Sequence, residues 1–225
     1  MSENLGQKKV RAMEIINIFN EEYKDADCTL DYETPLQLLI ATQLAAQCTD
    51  ARVNLVTPAL FEKYKSVYDF ADAKEDELSA LIHSTGFYRN KTKNIIACCK
   101  KIIADFGGEV PQTMEELLSL PGVGRKTANL VLGDVFGIPG IVVDTHAGRL
   151  SRRMGFTKNT DPHKVEIDLL KIIPPEHQTQ FCHQLVFHGR KYCDARKPLC
   201  DTCPINTVCP KKECEKSPDR KKKGL

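Results

Sequence analysis

Apolar residues repeat at helical spacing along almost the whole chain, and this pattern limits the fold more than any other feature. Residues 10–19, 36–44 and 94–106 each carry such a repeat, and residues 160–162 have the form of a helix start. Strand candidates are few, chiefly residues 141–143, and no alternating run is long enough to build a sheet. With 225 residues the chain can bury a large core. The sequence therefore predicts an all-α fold.

A glycine-edged turn, Pro-Gly-Val-Gly at residues 121–124, directly precedes one of the predicted helices. Gly122 and Gly124 let the backbone approach a ligand because no Cβ stands in the way. The N–H groups that begin the following helix then form a site for an anion such as a DNA phosphate. Lys126 lies in the first turn of that helix, and an amine beside a bound phosphate backbone suggests a nucleophile. The same turn can also serve only to separate two helices, so DNA binding is one of two interpretations here.

The next motif is Val-Asp-Thr-His at residues 143–146. Asp144 stands where a helix N-cap would be, and capping alone is a sufficient reason for an Asp there. Taken together with Gly-x-Gly-Arg-Lys, however, this motif resembles the helix-hairpin-helix DNA glycosylases. The resemblance implies that Lys126 is the nucleophile and Asp144 the catalytic carboxylate. The turn residues that it implies for gripping DNA are Gly122, Val123, Gly124 and Arg125.

Four of the ten cysteines form the pattern Cys193-x6-Cys200-x2-Cys203-x5-Cys209 in a short segment broken by prolines. Four thiolates this close together can wrap one metal centre, and spacing alone leaves both zinc and an iron–sulfur cluster open. Nothing in the sequence suggests secretion, so disulfides are disfavoured. The remaining cysteines have no ligand spacing and are expected to be buried or free thiols: Cys28, Cys48, Cys98, Cys99, Cys182 and Cys214.

The quartet near the C-terminus resembles the [4Fe-4S] loop of the endonuclease III family and of its adenine-glycosylase relatives. The resemblance implies a [4Fe-4S] cofactor held by the four cysteines. The adenine glycosylases lack a lysine at the position of Lys126 and carry a further C-terminal domain, whereas the 8-oxoguanine glycosylases typically lack the quartet. Lysine, quartet and chain length together resemble the endonuclease III branch over nearly the whole chain.

This resemblance implies a bifunctional DNA glycosylase and AP lyase of base excision repair. Its partner would be double-stranded DNA that contains oxidised pyrimidines or abasic sites. The amine of Lys126 would attack C1′, expel the base through an imine, and nick the strand on the 3′ side by β-elimination. Asp144 would stabilise the cationic sugar and take the proton of the amine.

Base removal requires the nucleotide to leave the stack, and side chains must then fill the space. Gln47 and Phe87 match the family's wedge positions, although the family more often has an aliphatic residue at the second. Phe87 is alternatively a core aromatic. His146 is either a substrate contact or a part of the Asp144 cap.

The domain organisation also follows from the resemblance. Residues 28–138 would form a helical domain with the hairpin motif. Residues 1–27 and 139–225 would form a second domain around the iron–sulfur cluster. The catalytic cleft would lie between them, with Lys126 on one side and Asp144 on the other.

A formal net charge of only +2 means that a DNA-binding protein of this kind must concentrate its positive charge. Arg149 in the helix after Asp144, and Arg196 with Lys197 in the first cysteine loop, are the candidate phosphate contacts. A third basic group follows Gly86 and comprises Arg89, Lys91 and Lys93, and a lysine-rich tail at residues 211–223 is expected to fray.

No apolar stretch reaches membrane-spanning length, and the first residues lack a signal-peptide core. We therefore expect a cytoplasmic monomer that is nucleoid-associated when it acts on DNA and has no membrane contact.

Two rival functions remain at this stage. A mismatch thymine or uracil glycosylase is disfavoured by Lys126, because those relatives usually manage without it. A non-catalytic DNA-binding clamp is disfavoured by the presence of both Lys126 and Asp144, since a clamp needs neither.

Overall fold

The computed structural model describes residues 3–214, and this part of the chain is helical, with no β-strand. The all-α prediction is confirmed. The α-helices of the described residues are α1 (Leu5–Glu22), α2 (Pro35–Leu44), α3 (Asp50–Lys63), α4 (Val67–Ala71), α5 (Glu75–Ile82), α6 (Tyr88–Phe106), α7 (Met114–Ser119), α8 (Arg125–Phe136), α9 (Thr145–Arg153), α10 (Pro162–Leu170) and α11 (Gln178–Lys191). Short 3-10 helices lie at His83–Thr85, Pro175–His177 and Cys200–Thr202. Most of the predicted lysine-rich tail, from residue 215 on, lies outside the described residues.

Local sequence signals explain where several helices begin. Thr34 caps α2 by accepting a hydrogen bond from the Gln37 N–H, and Pro35 occupies the first helical position, where its missing N–H costs nothing. Asp161 and Pro162 repeat this arrangement at α10, as the sequence predicts. Helix α6 begins at Tyr88, six residues before the apolar repeat that predicted it.

The strand predicted at residues 141–143 is not formed. Ile141 is fully buried, which explains the apolar run, but the N–H of Val142 donates to the Cys182 sulfur at 3.2 Å. An extended segment becomes a strand only when a second one pairs with it. No such partner exists within residues 3–214.

The chain divides into two compact units. One is Cys28–Ile138, which buries its own apolar core. Helices α2 and α7 pack against α8, and α4 and α5 pack against α6. This packing fixes the turn that precedes α8.

The other unit contains the residues before Cys28 and those from Pro139 on. Helices α1 and α9 both pack against α11, and the rings of Phe19 and Phe181 stack with their centroids 5.9 Å apart. The cysteine quartet directly follows α11. Across residues 3–214, every helix is too short or too polar to span a bilayer.

Candidate active site and metal centre

The turn between α7 and α8 needs a glycine at its first glycine position. Gly122 has φ +76°, and a Cβ there would lie 2.8 Å from Oε1 of Gln43 and 2.9 Å from Cβ of Asn94. Both the backbone conformation and the lack of space therefore exclude a side chain. Val123 is buried, and its N–H donates to the Leu120 carbonyl. Val123 is thus part of the inner side of the turn, and the DNA contact that the sequence predicts for it stays a prediction.

Gly124 differs from Gly122, because its backbone is extended and a Cβ would meet nothing within 4 Å. No side chain of the described residues caps α8. The start of α8 is therefore open to an anion, with the partial positive charge of the helix dipole behind it. Lys126 is exposed in the first turn, and Arg125 beside it is half-buried.

Asp144 is the N-cap of α9, as its position predicts. Its Oδ1 accepts the Ala147 N–H at 2.7 Å, and the side chain is half-buried. His146 follows in the first turn, and a Cβ on Gly189 of α11 would overlap with its imidazole. Burial lowers the pKa of His146, partly opposed by Asp144, so the ring is neutral near pH 7. Its Nδ1 lies 3.1 Å from the Arg149 guanidinium, a pure donor, so the proton is on Nε2.

Gln47 and Phe87 share an unusual backbone conformation. Their φ values are +55° and +48°, a left-handed region that non-glycine residues seldom occupy. Both side chains are exposed, Phe87 to 64 %. The core alternative for Phe87 is therefore wrong. Strained, exposed residues of this kind concentrate at functional sites.

The basic residues of α9 hold protein carbonyls. Arg149 donates through Nε and Nη2 to the Cys193 carbonyl at 3.2 and 3.0 Å. Arg153 is only 6 % exposed and donates to the carbonyls of Asp194 and Ala195 at 2.6 and 2.9 Å. These two guanidinium groups fix the start of the cysteine loop. The DNA contact predicted for Arg149 stays a prediction.

The four cysteines of the quartet line one pocket that opens partly to solvent. Leu150, Met154 and Ile205 give it apolar walls. A fifth cysteine, Cys214, lines the same pocket, which its spacing did not indicate. The four thiols surround the pocket, and within residues 3–214 no three His, Cys, Asp or Glu side chains converge closely enough to hold a single metal ion.

Hydrogen-bond donors point at two of these sulfur atoms, and an imidazole lies beside a third. Arg153 Nη1 lies 3.3 Å from the Cys193 sulfur, and the Lys211 N–H donates to the Cys209 sulfur at 3.4 Å. His188 lies on the inner face of α11, with Nε2 3.5 Å from the Cys203 sulfur and Nδ1 2.8 Å from the Tyr23 hydroxyl.

Burial also acts on the thiols directly. It raises the pKa of Cys203 to about 11 and raises that of Cys209 too, so both hold their protons unless a metal replaces them. Four thiols, apolar walls and N–H donors aimed at sulfur fit a cluster of iron and sulfide.

The two predicted phosphate contacts of the loop face outward. Arg196 and Lys197 are exposed, and their backbone N–H groups donate to Oδ1 of Asp194 at 2.7 and 3.1 Å. Asp194 thus shapes a tight turn whose two cationic side chains are free to meet a polyanion.

Arg153 and His188 contact the cysteine loop but were not identified from the sequence, and both are buried. Lys91 is a third polar residue whose burial was not predicted. Helical spacing could have predicted the burial of two of them. Lys91 precedes buried Ile95 by four residues, and His188 follows buried Leu185 by three, which puts each on the buried face of its helix. The third basic group is therefore corrected: Lys91 is 6 % exposed and faces the protein interior.

The sequence matches two protein families. Residues 40–175 match the HhH-GPD superfamily of base excision DNA repair proteins, and residues 193–209 match the iron–sulfur binding domain of endonuclease III. The second match covers the segment from Cys193 to Cys209. The cofactor of this chain is a [4Fe-4S] cluster.

Individual relatives have sequences similar to this one over nearly the full length of both chains. Endonuclease III of Synechocystis sp. is 55 % identical over 92 % of this chain and 94 % of that protein. Endonuclease III of Bacillus subtilis is 46 % identical over 90 % of this chain and 91 % of that protein. Endonuclease III of Escherichia coli is 38 % identical over 91 % of this chain and 97 % of that protein.

Solved structures extend this likeness to three dimensions. A trapped endonuclease III–DNA covalent intermediate superposes with a TM-score of 0.85 at 44 % identity, covering 90 % of this chain and 96 % of that one. A thermostable thymine-DNA glycosylase shares the fold at 23 % identity, with a TM-score of 0.82 and coverage of 92 % and 98 %. The chain belongs to the endonuclease III family within the HhH-GPD superfamily of base excision DNA repair proteins.

Proposed function

We propose that this protein is a bifunctional DNA glycosylase and AP lyase that removes oxidised pyrimidines from double-stranded DNA and nicks the resulting abasic site. It would act as a cytoplasmic monomer, at the nucleoid when bound to DNA. The observation that carries the proposal is the exposed amine of Lys126 in the first turn of α8, directly after an uncapped, glycine-edged turn. A DNA backbone bound at that turn would bring a sugar toward the amine.

The proposed reaction begins with the amine of Lys126. It attacks C1′ of the damaged nucleotide, the N-glycosidic bond breaks, and the base leaves with the bonding electron pair. The C1′–O4′ bond then breaks, O4′ takes up a proton and C1′ forms an imine with the lysine nitrogen, which makes the C2′ proton acidic. Loss of that proton expels the 3′ phosphate by β-elimination. An amine attacks only as the free base.

Asp144 is proposed as the carboxylate of this reaction. Its Oδ1 is committed to the Ala147 N–H, which orients the group and leaves Oδ2 for chemistry. A negative charge at that atom would stabilise the cationic sugar and accept the proton that Lys126 loses.

Gln47 and Phe87 are proposed to fill the space that the extruded nucleotide leaves. Their exposure and left-handed backbone support this, because the side chains project from turns held in a strained form. The Nε2–H of neutral His146 is proposed as a hydrogen-bond donor to the DNA.

Cys193, Cys200, Cys203 and Cys209 are the proposed cluster ligands, and the cluster supplies no step of the reaction. Its proposed role is to fix the loop so that Arg196 and Lys197 meet the phosphates. The hairpin residues Gly122, Gly124 and Arg125 and the α9 residue Arg149 are proposed as further backbone contacts.

Borohydride trapping on abasic duplex DNA tests the assignment of the nucleophile. We expect Lys126→Ala to abolish both the covalent adduct and strand cleavage, while DNA affinity stays within about tenfold because one phosphate-side charge contributes little. Lys164→Ala is the matched control, because Lys164 is an exposed lysine in the first turn of α10. It should trap as the wild type does. An adduct that persists in Lys126→Ala would remove this lysine from the nucleophile role.

A further inference from the structure

Lys91 is a buried lysine whose ammonium bonds to two separate turns. It is the fourth residue of α6 and is 6 % exposed. Its Nζ donates to the Leu44 carbonyl at 2.6 Å and to the Thr85 carbonyl at 2.9 Å. Its backbone N–H donates to the Phe87 carbonyl at 3.1 Å. One residue therefore binds the end of α2 and both ends of the short turn before α6.

The two carbonyls are the natural acceptors for such a cation. Leu44 is the last residue of α2, and Thr85 is the last residue of the 3-10 helix at His83–Thr85. Helices end with unsatisfied carbonyls and a partial negative charge, and an ammonium group satisfies both. Burial alone would disfavour this ammonium, and it lowers the pKa of Lys91. In this site the ammonium group loses its hydrating water, and the two carbonyls replace part of that water as hydrogen-bond acceptors.

Each of the two turns that Lys91 joins carries an exposed side chain on a left-handed backbone. Gln47 follows Leu44 by three residues, and Phe87 follows Thr85 by two. Without a fixed anchor, each turn could relax its strained residue independently. Both carbonyls accept hydrogen bonds from the same Nζ. A movement of either turn therefore displaces the ammonium group to which the other turn is bonded.

We propose that Lys91 is a positioning residue that couples the Gln47 and Phe87 turns, so that both side chains enter the DNA as one rigid pair. The proposal rests on the proposed role of these two side chains in filling the vacated space. Lys91 itself touches no DNA in this arrangement.

Lys91→Met tests the coupling, because it keeps the length and apolar contacts of the stem and removes the ammonium. Lys93→Met is the matched control, since Lys93 is exposed in the same helix and its loss changes the net charge equally. Hydrogen exchange of the free protein is the first measurement. We expect faster exchange in both turns of Lys91→Met and in neither turn of Lys93→Met. Loosening of one turn alone, or of neither, would overturn the coupling.

The second measurement is single-turnover base excision, together with the fluorescence of 2-aminopurine placed opposite the lesion. Misplaced side chains should slow excision by about 10-fold to 100-fold and weaken the fluorescence change. Trapping on single-stranded abasic DNA has no duplex space to fill, so it should be unaffected and reports that the variant is folded.

A double-mutant cycle separates coupling from general damage. In a Gln47→Ala, Phe87→Ala background, Lys91→Met should change excision by less than about twofold, because nothing is left to position. An undiminished effect in that background would overturn the coupling and leave the proposed function intact. If Gln47→Ala with Phe87→Ala changes neither excision nor fluorescence, the space-filling role is wrong, and the coupling falls with it.

Discussion

Asp144 combines a structural and a proposed chemical role in one carboxylate, and the two can be separated by a single atom. We expect Asp144→Asn to keep the melting temperature nearly unchanged, since Asn caps a helix about as well as Asp. Base excision should fall by about 100-fold or more, because the amide supplies no negative charge for the sugar cation or the Lys126 proton. Thermal melting and single-turnover excision measure the two effects.

Asp161→Asn is the matched control for this change. Asp161 caps α10 by accepting the Lys164 N–H at 2.9 Å. Asp161→Asn therefore makes the same change at a helix N-cap, but at a helix that carries none of the proposed site residues. It should excise normally. Near wild-type excision by Asp144→Asn would show that Asp144 is only a cap.

At this scale the local motifs drew attention to Lys126, beside a glycine turn, and to Asp144, at a helix start. Their predicted chemical roles came from the resemblance to the DNA glycosylases, because an Asp at a helix start is ordinary as a cap. Lys91 was grouped with surface cations because lysines are mostly exposed. Its burial depends on two carbonyls that are 47 and 6 residues away along the chain, and no local pattern encodes them.

Among the elements, the cysteine loop has the clearest division between inside and outside. Its sulfur atoms accept N–H groups from Arg153 and Lys211, and one lies beside the His188 ring. Arg196 and Lys197 face solvent. The interior of the loop thus fits the cluster and its exterior fits phosphate. Spacing in the sequence identified the quartet, but it gave no sign that Cys214 lines the same pocket.

Neutralising Arg196 and Lys197 together should weaken binding to damaged and undamaged DNA alike. The slope of log affinity against log salt should fall by up to about two units, because each phosphate contact releases about one counterion. Lesion preference should barely change, since phosphate contacts position a protein without reading bases. Fluorescence anisotropy across a salt series measures both quantities.

Lys9→Ala with Lys24→Ala removes the same charge from exposed positions in the α1 region and serves as the control. If the loop variant keeps the wild-type slope, or the control lowers it equally, the loop charges do not contact the backbone.

For the whole molecule, the two compact units predict an uneven response to loss of the cluster. We expect Cys200→Ser to lose iron and its absorption near 400 nm, and to exchange amide hydrogens faster within residues 139–214. Residues 28–138 should keep their protection, because their core is built from their own helices. Hydrogen exchange with mass spectrometry of the full chain, beside iron analysis, measures this.

Cys214→Ser is the control in the same pocket. Because Cys214 is not one of the four proposed ligands, this variant should keep about four irons per chain. Loss of iron from Cys214→Ser, or retention by Cys200→Ser, would change the ligand set. Equal loosening of both units would show that they depend on one another for stability.

The sequence by itself determined the fold class, the starts of α2, α8, α9 and α10, and the cysteine quartet. Each of these rests on neighbours within a few residues: helical periodicity, Asp and Pro at helix starts, a glycine-edged turn, and short cysteine spacing. The tertiary structure decided the rest, namely that residues 141–143 form no strand, that Phe87 is exposed and that Lys91 is buried. These features depend on what packs beside a residue, and the partners come from distant parts of the chain.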